Sequence, residues 1–136
     1  MKSKIIVLAI VVATGLVFSS CEKEVAKPEI TLTEVGLNNS KTAIVGDDLH
    51  IEADIVAEGT IKTVLVEIHP EGTGTWELDT TYSKFSGKKN STFHEHIDIP
   101  LTAEVGDYHF HLVVTDELGN ETTAESEIEF LAASSN

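Results

Sequence analysis

The stretch GDYHFHLVVTDELGN, Gly106 to Asn120, decides the fold. Tyr108, Phe110, Leu112 and Val114 alternate with His109, His111, Val113 and Thr115. Period two sends successive side chains to opposite faces, so this is a strand with one apolar face and one wetter face. Asp116-Glu117-Leu118-Gly119-Asn120 follows, a set of turn formers with a glycine free to take positive φ. A half-buried antiparallel strand that ends in a hairpin, with two histidines facing outward, is the expected unit.

The same period recurs along the chain, and no segment has a helical period. Strands are expected at Glu29–Val35, Leu49–Ile55, Ile61–His69, Trp76–Tyr82, Thr92–Ile99, Tyr108–Thr115 and Thr122–Phe130. Gly, Pro, Asn and Asp stand between them as turn signals. Seven short strands in about 100 residues predict an all-β, two-sheet antiparallel sandwich over residues 29–131, with a short tail at 132–136. Asp116–Asn120 reads as a hairpin turn in preference to a calcium loop. Trp76, Tyr82 and Phe85 read as edge packing in preference to a glycan-stacking or protein-contact patch.

Residues 1–20 read differently. Lys2 and Lys4 precede an apolar run from Ile5 to Phe18, which is too short to span a bilayer and has the form of a signal-peptide core. The sequence Phe18-Ser19-Ser20-Cys21 resembles the lipobox of bacterial lipoproteins, with Phe18 in place of the usual leucine. The resemblance implies cleavage before Cys21 and a lipid on its sulfur, which anchors a protein to a membrane without spanning it. Cys21 is the only cysteine, so no intrachain disulfide or CxxC metal site can form. Residues 21–28 read as a charged tether, and Glu22-Lys23-Glu24 is similar to the acidic export tag of Bacteroidota-type lipoproteins.

Loss of Lys2 and Lys4 with the leader takes the formal charge from −14 to −16. Such a chain repels phosphate backbones and attracts cations, so nucleic acid is not an expected partner. No nucleophile elbow or glycine-rich phosphate loop appears, and no enzyme activity is expected.

Gly106-Asp107-Tyr108, the alternating strand and Asp116-x-x-Gly119-Asn120 resemble bacterial immunoglobulin-like domains, where a tyrosine marks the corner before the sixth strand. Without the paired cysteines and the strand C tryptophan, the chain is nearer to fibronectin-like and cadherin-like sandwiches. The lipobox, the Lys27-Pro28-Glu29-Ile30 start and the histidine-bearing strands also resemble a group of small Bacteroidota lipoproteins of unknown function. That resemblance implies an anchor in the bacterial outer membrane, on its periplasmic or its outer face. The expected setting is accessory to an outer-membrane uptake receptor or another envelope protein.

Strand parity singles out two histidine groups. His69 and Glu67 should face outward beside His109 and His111, with Glu127 and Glu129 on the far side. This wall is the first candidate for a divalent metal such as zinc or copper, since neutral imidazole with carboxylate suits both. On the opposite sheet His94 and His96 should lie near His50, Glu52 and Asp54, with His50 towards Asp98 and Glu52 towards His96. That is the second candidate. Glu95 is awkward, because parity turns it inward unless it sits at an open edge or a bulge. Three readings stay open: metal ligands, ordinary exposed strand residues, and a patch that charges near imidazole's pKa of about 6.5. The alternative function is a protein- or glycan-contact module with no metal role.

Overall fold

The computed structural model describes residues 23–134. The expected leader and Cys21 lie outside these residues. Among the described residues, eight strands form two packed sheets: β1 (Glu29–Val35), β2 (Thr42–Ile44), β3 (Asp48–Val56), β4 (Ile61–Pro70), β5 (Leu78–Tyr82), β6 (Asn90–Asp98), β7 (Gly106–Asp116) and β8 (Glu121–Leu131). One sheet runs β1-β3-β6 and the other β2-β8-β7-β4-β5. The expected all-β sandwich is therefore present, with one strand more than the period predicts.

The extra strand is β2, which pairs parallel with β8, whereas all other pairs are antiparallel. Three residues are too few to show a period. The chain reaches β2 by leaving the first sheet after β1 through a kink. Gly36 there has φ 73°, and a Cβ on it would lie 2.6 Å from the Thr42 carbonyl oxygen. Only glycine allows that approach.

The core lies where the alternation puts it. Tyr108, Phe110, Leu112 and Val114 of β7 face Leu49, Ile51, Ala53 and Ile55 of β3 across the sandwich, and all are buried. Phe93 and Ile97 of β6, Val64, Val66 and Ile68 of β4, and Ile128 and Phe130 of β8 complete it. Each large apolar side chain so buried contributes about 1.5–3 kcal/mol. Trp76 packs on Tyr108 and Phe130, while Tyr82 and Phe85 pack on Phe93, so these aromatics belong to the edge of the core.

Glu95 does point inward, and its strand is the open edge of its sheet, with no bulge in the β3–β6 register. Lys84, in a short helical turn after β5, reaches across to pair with its carboxylate. An inward charge on an edge strand discourages pairing with another chain. Glu95→Val should therefore fold but self-associate, visible as dimers or larger species in light scattering.

Two further polar devices hold the ends of β7. The Tyr108 hydroxyl donates to the Glu104 carbonyl at 2.9 Å, and the Glu104 carboxylate accepts from the Thr75 hydroxyl and from the Thr75 and Trp76 N–H groups. The Thr75 hydroxyl, followed by the Trp76 N–H, holds Glu104 down at about 2. A carboxyl lowered in the folded state adds stability above its unfolded value of 4.5, and this is lost as pH falls towards about 2. The gap in melting temperature between the protein and Glu104→Gln should thus be full at pH 7 and close by about pH 2.

At the other end Asp116, fully buried, accepts from the Leu118 and Asn120 N–H groups and from the Asn120 side-chain amide. Burial pushes this carboxyl up, but the Asn120 amide and the turn N–H groups outweigh it and hold it low. Its oxygens are engaged by the turn itself, and Gly119 has φ 86°. That is the hairpin reading of this segment.

Candidate functional site

The two outer walls of the sandwich carry the six histidines. On the five-stranded sheet the predicted register holds: His69 is opposite His109, and Glu67 is opposite His111. The rings nevertheless do not gather. His109 Nε2 lies 2.8 Å from Glu71 and its Nδ1 lies 2.9 Å from Glu127, so both nitrogens face carboxylates on opposite sides of the ring. His69 leans the other way, 3.8 Å from Glu77 and 3.8 Å from Asp79 of the edge strand β5. His111 lies 3.9 Å from Glu67.

The wall therefore splits into Glu67–His69–Asp79 and Glu71–His109–Glu127, each with one imidazole and two carboxylates. Of the expected set His69, His109, His111 and Glu67, His69 and Glu67 stay together in the first group and His109 falls in the second, while the His111 ring lies 6.2 Å from that of His69 and 6.4 Å from that of His109. The physical reason is that β7 lies between strands that both carry acidic residues. Each imidazole turns to its nearest carboxylate, and these lie on different sides.

The second candidate converges instead. His50 of β3 is opposite His96 of β6, and Glu52 is opposite His94. This is a two-residue shift from the expected pairing of His50 with Asp98. The shift keeps every side chain on its expected face but brings His50 between the two β6 histidines. Ring centroids lie 4.8 Å apart for His50–His94, 4.9 Å for His50–His96 and 5.6 Å for His94–His96. One nitrogen from each ring lies within 4.8 Å of the other two.

Each imidazole of this trio has a carboxylate at Nδ1. Glu34 lies 3.2 Å from His50, Glu52 lies 3.9 Å from His94, and Asp48 is hydrogen-bonded to His96. The Asn38 N–H, helped by His50, holds Glu34 low, and the His96 hydrogen bond does the same for Asp48. Both carboxylates therefore stay charged beside the rings. His50 is the enclosed member. Its side chain is 14% exposed, against 54% for His94 and 57% for His96. Both His50 nitrogens are buried with no aligned hydrogen-bond partner among the described residues. Unpaired buried polar atoms are costly, and where they persist they point to a missing partner.

Sequence parity missed Glu34. It shares parity with Ile30 and Leu32, which pack on the core. A bulge between Leu32 and Glu34 turns it to the outer wall opposite Glu52. Asp48 was missed for a simpler reason: the expected strand began one residue later. Its place before Leu49, opposite in parity, was the available signal.

A family model described as DUF4625, a domain of unknown function, matches residues 18–131. The chain belongs to this family. Curated proteins give no match. Among solved structures, OgpA from Akkermansia muciniphila is similar with a TM-score of 0.55 at 17% identity, over 76% of this chain and 28% of that one. A Niemann-Pick type C2 protein from Japanese carpenter ant gives 0.51 at 12%, over 82% and 96%. Spo0M from Bacillus subtilis gives 0.50 at 11%, over 81% and 51%. The chain thus spans little more than a quarter of OgpA, and at these identities the likeness is one of fold.

Proposed function

We propose that the protein is a non-enzymatic, lipid-anchored envelope protein that binds a divalent transition metal, zinc or copper, at His50, His94 and His96. The observation that carries this reading is the trio itself, three imidazoles brought together with a carboxylate at each Nδ1. A metal-bound histidine characteristically gives its other ring nitrogen to a carboxylate, which fixes the ring and raises its basicity. Here that leaves Nε2 of each ring for the ion. Tetrahedral zinc with bonds of about 2.0–2.1 Å needs nitrogens about 3.4 Å apart. Rotation of the exposed His94 and His96 supplies that closure from the present spacing.

The trio lies on the outer face of its sheet with His94 and His96 more than half exposed, which favours holding an ion over catalysis that excludes water. Attachment through Cys21 at the outer membrane, beside an uptake receptor, is the setting that accords with the leader and tether. The mixed sets around His69 and His109 are a second place for an ion. With one imidazole each, they suit transition metals less well than the trio.

The test is thermal. Micromolar zinc or copper should raise the melting temperature of protein purified without a histidine tag, by about 2.7 kcal/mol of stability at a hundredfold excess over Kd. His94→Ala/His96→Ala should abolish the rise, and His109→Ala/His111→Ala should leave it. The opposite pattern moves the site to the other wall. No rise with either metal leaves a protein- or glycan-contact module as the better reading.

A further inference from the structure

A groove of about 380 Å³ opens directly beside the trio. That is within the roughly 300–1,000 Å³ range of small-ligand sites. His50 and His96 form one side of it. Leu37, Ser40, Thr42, Ala43 and Ile44, from the kink after β1 and from β2, also line it. Leu37 is 71% exposed and Ile44 40% exposed, so apolar surface lies open beside the histidines. Asp47 and Asp48 lie at the end of the groove.

Resting on the metal reading above, we infer that the bound ion keeps one coordination position open to this groove and takes there a neutral heteroaromatic nitrogen donor, an imidazole-type ligand with an apolar body. Three imidazoles supply three ligands, and zinc or cobalt in such a set completes its shell with an outside group. Glu34, Asp48 and Glu52 face Nδ1 of the three rings, with Asp48 hydrogen-bonded there, and are not needed in the shell. Charge selects the class of ligand. Glu34, Glu52 and Asp48 stand beside the three rings and Asp47 lines the groove, four carboxylates against the two charges of the ion, so an anion entering here meets repulsion. A neutral ring meets none, and its apolar body gains contact with Leu37 and Ile44. A free small-molecule azole has this chemistry.

Cobalt(II) makes the inference measurable, because its visible spectrum reports each change of ligand. The cobalt-loaded protein should change spectrum on titration with 4-phenylimidazole at concentrations at least tenfold below those needed for imidazole, with azide weaker than both. Ile44→Asp and Leu37→Asp, both at exposed positions, should still take up cobalt but lose the preference for the phenyl group. Cobalt binding with no spectral response to any of the three ligands overturns the inference alone. So does azide binding more tightly than imidazole, or a phenyl preference that survives both substitutions. Failure to take up cobalt at all overturns this inference together with the metal reading.

Discussion

Substituting His50 by leucine should abolish the proposed metal-dependent rise in melting temperature while raising the melting temperature of the metal-free protein. The two effects have one cause. His50 is held between His94 and His96 with both ring nitrogens buried and lacking aligned partners. Nδ1 has the Glu34 carboxylate 3.2 Å away, so without an ion the cost falls mainly on Nε2, at about 1–3 kcal/mol. Leucine removes the cost and keeps most of the packing, so a gain of about 1 kcal/mol, a few degrees, is expected. With an ion, loss of the enclosed ligand should weaken binding more than the roughly 10–100-fold typical of losing an outer-shell partner. Thermal melts with and without zinc read both effects. A destabilised metal-free His50→Leu would mean that the imidazole serves the fold, and the trio would lose its claim as a site. A residue that costs stability in order to do something else is the common mark of a functional position.

Phe93→Ala should be the most damaging single change, at about 3–5 kcal/mol and more than about 10 °C in melting temperature. Phe93 is fully buried in β6, packed edge-on against Tyr82 and against Phe85. These residues come from β5 and the turn after it, so Phe93 ties the open edges of the two sheets together. Domains of this size have about 5–15 kcal/mol in all, so the variant should remain folded only in mild conditions. Because Phe93 precedes His94 on the same strand, the variant also tests the site. On the metal reading, zinc should stabilise it by the same increment as the parent protein wherever both fold, since the proposed ligands His94 and His96 lie on the opposite face of β6. A cost under about 1 kcal/mol, measured by chemical denaturation, would contradict the packing described for this edge.

Much of this architecture is legible in the residues. Strand parity alone assigned core and outer faces in β3, β4, β6 and β7. Side chains alternate strictly along a strand, and burial selects one set. Turn chemistry marked the Asp116–Asn120 hairpin, where the buried carboxylate gathers the N–H groups of its own loop. Parity even flagged Glu95 as a misfit, and the open edge of β6 is the reason it is tolerated. The strand β2 was not legible, because three residues carry no period and it owes its place to β8.

The candidate site lay beyond parity for two reasons. A slip of two residues between β3 and β6 leaves every face unchanged, so alternation cannot detect it, yet it decides whether His50 meets Asp98 or His96. The bulge in β1 reverses parity for a single residue, and this alone carries Glu34 to the outer wall. On the other wall the register was right and the cluster still divided, because flanking carboxylates draw each imidazole aside. By itself the sequence determined which residues face out. Only the tertiary structure decided which of them meet, because pairing offsets and ring orientations are set by neighbouring strands and not by the period of any one strand.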